Sequence, residues 1–184
     1  MAIALVAVPA TAAEWSADPA ASTLGFVYER AGGSAEGGFE RFAGSGSFDP
    51  ARPEEAVLRL AIETRSIELG SLLESAFATS AEWFDSGQHP EAVYELITLT
   101  PIDGDRYAAF GTLTIKGRSV DVHSEITLAV SGTAARASGA LTVNRRDFGL
   151  GIGPVSAFVT IGDEVSVTFD LAATLMDEPL SKSE

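Results

Sequence analysis

Residues 141–153, LTVNRRDFGLGIG, hold the residue pattern most suggestive of chemistry. Leu141 and Val143 alternate, and continued alternation puts Arg145 and Asp147 on the same face. A cation and an acid two positions apart can form a polar collar that orients a ligand headgroup. They can equally pair with each other and close the end of a sheet, with Gly149 permitting the bend. Pairing is the favoured expectation, because adjacent opposite charges at a rim usually meet. Asp147-Phe148-Gly149 also matches a kinase triplet, but no glycine-rich phosphate loop, catalytic-loop motif or suitable lysine accompanies it.

The remaining candidates for catalysis are sparse. The chain has two histidines, His89 and His123, and no cysteine. Disulfides, thiol catalysis and thiolate metal sites are therefore excluded. A zinc site would need carboxylates to complete its ligand set, and no HxxxH or HxH spacing occurs. Neither a metal nor a cofactor is expected. His123 alternates with Asp121 and Glu125, opposite Val122 and Ile126, which reads as a solvated face. Ser124 must face away from His123, so the two cannot form a base–nucleophile pair. His89 precedes Pro90 in a loop. These features predict a protein that is not an enzyme, with lipid or quinone chemistry kept as the alternative.

The frame that positions these residues reads as antiparallel sheet. Leu24, Phe26 and Tyr28 alternate with other residues, as do Leu58, Leu60 and Ile62, then Ile126, Leu128 and Val130. Val165, Val167, Phe169, Leu171 and Leu175 share one parity near the end. A period of two, broken by DPARPE, PIDGD, KGR, SGT and IGDE, predicts strands joined by turns, each with one buried face. Residues 68–84 differ, with Leu69, Leu72, Leu73, Ala76 and Phe77 at helical spacing, predicting two to three turns ending near Trp83 and Phe84. One helix among about eight strands suggests a closed barrel with a helical plug or lid, with a sandwich as the competing architecture.

Composition narrows the partners. The chain has 184 residues and a net charge of −14, with 26 acidic against 12 basic residues. That length fits one domain, and that charge repels phosphate backbones, so no nucleic-acid partner is expected. The opening run MAIALVAVPATAA resembles the apolar core and cleavage site of a secretory signal, so residues 1–13 are expected to be its remnant. Residues 14–176 are then the domain, and the polar stretch 177–184 a disordered tail. No later stretch nears the ~18 apolar residues of a membrane span. The expectation is a periplasmic or secreted protein without stable membrane insertion.

At this point the sequence resembles a family. WSADPAASTLGFVYERAGGSAEGGFERFAGSGSFDP, AEWFDSGQHPEAVYE, GTLTIKGRSVDV and NRRDFGL follow the order found in YceI-like proteins, from about Trp15 to Leu175. The resemblance implies an all-β, extended, eight-stranded antiparallel lipocalin-like barrel with one or two short helices, usually exported. It implies a long-chain apolar partner, such as a polyisoprenoid, quinone or fatty-acyl derivative, held inside the barrel. It also leaves a homodimer open, since relatives often dimerise. The chain departs from the family pattern where histidines are common: Ala21 follows DPA, the next strand ends YERAGG, and the helical stretch offers only Glu74 and Glu82.

Candidate wall residues are apolar side chains of the expected strands and helix. The aromatic ones are Phe26, Tyr28, Phe42, Phe77, Phe84 and Phe110; the aliphatic ones are Leu60, Ile62, Leu72 and Leu128. Each aromatic fits ordinary core as well as ligand wall. Arg145 and Asp147 complete the set at the rim. Small residues at Gly111, Ala137 and Gly139 are expected to leave room for a slender molecule. A third reading keeps the barrel as a scaffold for protein contacts, with no ligand inside.

Overall fold

The computed structural model describes residues 13–176. The apolar run read as a signal remnant and the tail read as disordered lie outside the described residues, apart from Ala13, which begins the first strand. Ten strands follow: β1 (Ala13–Arg30), β2 (Gly33–Phe39), β3 (Phe42–Phe48), β4 (Val57–Glu63), β5 (Ile67–Glu68), β6 (Glu91–Asp103), β7 (Arg106–Ile115), β8 (Arg118–Ser131), β9 (Ala134–Asn144) and β10 (Ile161–Leu175). One helix, α1 (Leu72–Ala78), lies between β5 and β6.

The sheet closes on itself. β1 pairs with β10 along its length, from Trp15 opposite Leu175 to Arg30 opposite Ile161. On its other edge β1 pairs first with β3 and then with β2. β2 and β3 are thus two halves of one barrel position, as are β4 and the short β5, and ten strands fill eight antiparallel positions. The β1–β10 ladder rules out a two-layer sandwich, because no free edge remains between them.

Alternation decides what faces inward. On β7, Tyr107, Ala109, Gly111, Leu113 and Ile115 are buried, while the residues between them face outward. The β7–β8 hairpin fixes this parity with a two-residue turn at Lys116 and Gly117, whose φ values are 51° and 72°. Positive φ at both positions matches the right-handed twist of the strands it joins.

Two clusters fill the ends of the barrel. Trp15, Phe48, Leu99, Tyr107, Ala109 and Ile126 pack at the end where β1 begins. Phe48 and Tyr107 meet there edge to face, with ring centroids 5.8 Å apart. The other cluster, around Trp83, Phe148 and Leu150, sits at the end that carries α1.

The helix has about the two turns expected but ends at Ala78 rather than near Trp83 and Phe84. Gly70, at φ 81°, turns the chain out of β5, and Ser71 caps the helix by accepting from the Glu74 N–H at 3.2 Å. The Glu74 carboxylate in turn accepts from the Ser71 hydroxyl at 3.2 Å, a side-chain contact that holds the cap in place. After Ala78 the chain runs through tight turns, with the Phe84 N–H donating to the Ala78 carbonyl at 3.0 Å. Leu72, an expected wall residue, is 85% exposed. Its helical spacing reflects the outer face of a short rim helix.

Candidate functional site

The barrel encloses a cavity of about 900 Å³, lined almost wholly by apolar side chains. One wall is a run of aromatic rings. Tyr28 and Phe26 lie 6.1 Å apart between centroids, Phe26 and Phe39 5.6 Å, and Phe39 and Phe84 5.7 Å. Strand parity sets Phe26 and Tyr28 inward, and Phe39 faces them from β2 across the β1–β2 ladder.

Eight of the twelve expected site residues stand on this lining: Phe26, Tyr28, Leu60 and Ile62, together with Phe77, Phe84, Leu128 and Arg145. The other four are elsewhere. Phe42 is buried core opposite Ile62 and is not part of the cavity wall. Leu72 points to solvent on α1. Phe110 has outward parity and stacks on His123 outside the barrel, at 4.5 Å between centroids. Asp147 falls in a turn, exposed, because β9 ends at Asn144 and alternation no longer applies.

Two of the three small inward positions do not leave space. A β-carbon on Gly139 would lie 2.8 Å from Phe169 Cζ, and one on Gly111 would lie 2.6 Å from Tyr94 Cζ. Rings from neighbouring strands occupy the room these glycines leave. Ala137, by contrast, lines the cavity.

Arg145 is a structural plug, and its carboxylate partner is Asp163 rather than Asp147. Its side chain enters the barrel end and is 6% exposed. Nε donates to the Gly162 carbonyl at 2.9 Å, and Nη1 to the Leu150 carbonyl at 2.7 Å. Nη2 donates to the Ile161 carbonyl at 3.1 Å and to Asp163 Oδ1 at 2.9 Å. The guanidinium also stands 5.6 Å from the centre of the Trp83 ring. Burial lowers the Arg145 pKa from its ordinary value, and the Asp163 carboxylate works against that shift.

This plug explains the glycines of the LTVNRRDFGLGIG stretch. After Asn144 the chain folds back through turns that bury Phe148 and Leu150. Gly151 then passes so close that a β-carbon would lie 2.7 Å from both Arg145 Nη1 and Trp83 Cη2. The Glu82 carboxylate secures the following loop by accepting from the Val155 N–H at 3.0 Å and the Ser156 N–H at 2.6 Å. Sequence reasoning found Arg145 but missed Trp83, Glu82 and Asp163 as its supporting set.

The cavity reaches solvent at the α1 end. Leu73 on α1 and Phe158 both line it, and they are 80% and 91% exposed. Arg30, the last residue of β1, donates from Nη1 to Glu74 Oε1 on α1 at 2.8 Å, and both residues also line the cavity. Burial raises the Tyr28 phenol pKa, opposed by the nearby Arg30 and reinforced by Glu74. Among the described residues no helix is long and apolar enough to cross a membrane, and no cluster of metal-ligating side chains occurs.

Known proteins share this architecture. A Burkholderia cenocepacia protein, BcnA, is 30% identical in a match covering 86% of this chain and 99% of that one, with a TM-score of 0.80. A polyisoprenoid binding domain from Saccharophagus degradans, implicated in plant cell wall breakdown, matches 90% of this chain and 100% of its own with a TM-score of 0.73. At 18% identity that second likeness concerns the fold. An Azotobacter vinelandii UPF0312 protein is 28% identical over 81 residues, or 44% of this chain and less than half, 42%, of that relative. The family model for the YceI-like domain matches residues 15–173, all but the outermost residues of the barrel, and the chain belongs to the YceI-like family.

Proposed function

We propose that this protein is an exported carrier that holds a long-chain apolar molecule in its barrel and does not act on it chemically. The observation that carries this reading is the cavity of about 900 Å³, whose lining is almost wholly apolar and includes Trp15, Leu73 and Phe158. Binding sites for small molecules commonly fall in this size range and bury most of the ligand surface. Burying ten methylenes contributes about 8 kcal/mol before entropy costs, the scale of a micromolar complex without any headgroup bond. The polyisoprenoid binding described for the Saccharophagus degradans relative supports a chain-like occupant. The leader-like run at the start of the sequence supports export.

Native mass spectrometry and organic extraction of the purified protein test this directly. The expected result is a co-purifying lipid, lost from an Ala137→Trp variant that remains folded but has its cavity filled. A clean apo mass, together with no uptake of isoprenoid or acyl-chain probes by the native protein, would overturn the carrier reading.

A further inference from the structure

One polar group on the lining has no use for a pure hydrocarbon. Tyr94 on β6 shares its parity with Ala92 and Leu96, and all three line the cavity. Its ring reaches across to β7, where a β-carbon on Gly111 would lie 2.6 Å from Tyr94 Oη. Glycine at 111 is what admits the hydroxyl end of this ring. A phenylalanine would fill the same wall without adding a hydroxyl to it. Among the described residues no protein group hydrogen-bonds the Tyr94 hydroxyl.

The surroundings identify the complement. Burial alone raises the Tyr94 pKa above its ordinary value, so the phenol keeps its proton and can donate it. No charged side chain contributes to that shift. The charged residues of the lining are Arg30, Glu74 and Arg145. Arg145 is committed to the backbone carbonyls and Asp163, and Arg30 is held by Glu74 at the rim. A carboxylate or phosphate beside Tyr94 would lack a cation and would carry a large burial penalty.

We propose that Tyr94 Oη donates a hydrogen bond to an uncharged oxygen, of the carbonyl or ether class, carried by the chain within the cavity. The barrel then selects oxygenated long-chain molecules over hydrocarbons of the same length. This rests on the carrier reading above and adds a specificity-determining residue to it.

The test compares a symmetric seventeen-carbon ketone with the seventeen-carbon alkane, by competition in native mass spectrometry on the delipidated full chain. The native protein should prefer the ketone about 5- to 10-fold, the scale of one net hydrogen bond. Tyr94→Phe should bind the alkane as before and lose that preference. Equal binding of the two probes by the native protein, or a preference that survives Tyr94→Phe, overturns this inference while leaving the carrier reading standing. Failure of both probes to bind overturns the carrier reading as well.

Discussion

Arg30 Nη1 lies 2.8 Å from Glu74 Oε1, which joins the last residue of β1 to the rim helix beside the cavity. Both side chains are close to half exposed, so the pair contributes only about 0–1 kcal/mol to stability. Its effect should instead be kinetic, since it fastens α1 over the end where Leu73 and Phe158 meet solvent. Arg30→Ala leaves the Ser71 cap of α1 intact and should change the unfolding midpoint little. Release of a bound fluorescent acyl probe, followed by stopped flow, should be several-fold faster. An unchanged release rate would show that the ion pair does not restrain the rim.

Arg145 makes the opposite prediction, that its removal is a matter of folding. Its substitution strands the carbonyls of Leu150, Ile161 and Gly162 inside the barrel end. Arg145→Ala should cost about 3–5 kcal/mol in urea unfolding, the range for breaking a buried, hydrogen-bonded charge. Arg145→Lys should recover little, because one ammonium cannot reach carbonyls arranged around a planar guanidinium. A loss below about 1 kcal/mol for Arg145→Ala would contradict the plug.

The glycine beneath Phe169 is predicted to resist even a methyl group. A β-carbon on Gly139 would meet Phe169 Cζ at 2.8 Å and the Glu125 carbonyl oxygen at 2.9 Å. The second contact is with backbone, which cannot rotate away. Gly139→Ala should therefore destabilise the barrel by about 1–3 kcal/mol, although alanine is ordinarily the better strand residue. Thermal unfolding of the variant checks this, and an unchanged or raised midpoint would refute it.

The sheet was legible because alternation is local. The parities of β1, β4, β8 and β10 can be read from neighbours two apart, but alternation alone suits a barrel and a sandwich equally, and the β1–β10 ladder that closes the sheet joins the two ends of the chain. The errors fall where that local rule stops applying. Phe110 is large and apolar, yet its parity is set by the smaller Ala109 and Gly111, which face inward. Asp147 lies beyond the end of β9, where a turn replaces alternation. The Arg145–Asp163 pair joins residues 18 apart through the β9–β10 ladder, and nothing in local spacing marks it. Tyr94 was within reach, since Ala92, Tyr94 and Leu96 alternate and β7 offers Gly111, Leu113 and Ile115. Helical spacing misled at Leu72 because an amphipathic pattern identifies a face without saying what covers it.

Acid should loosen the molecule through four carboxylates. The Arg41 hydrogen bond holds Glu63 below its usual range, and Arg146 does the same for Asp163, with Arg145 adding to it. Arg136 lowers Asp170, while hydrogen bonds from Ser156 and the Val155 N–H lower Glu82. Each group is more acidic folded than unfolded, so between the two pKa values the unfolded chain binds more protons. Their stabilisation is complete above the unfolded carboxylate range, roughly pH 4 to 4.5, and is lost as pH falls through the folded values. Urea midpoints should therefore hold from pH 7 down to about 5 and then fall on further acidification. Asp163→Asn should flatten part of that drop. A midpoint that stays level from pH 5 to 3 would show that these pairs contribute nothing to folding.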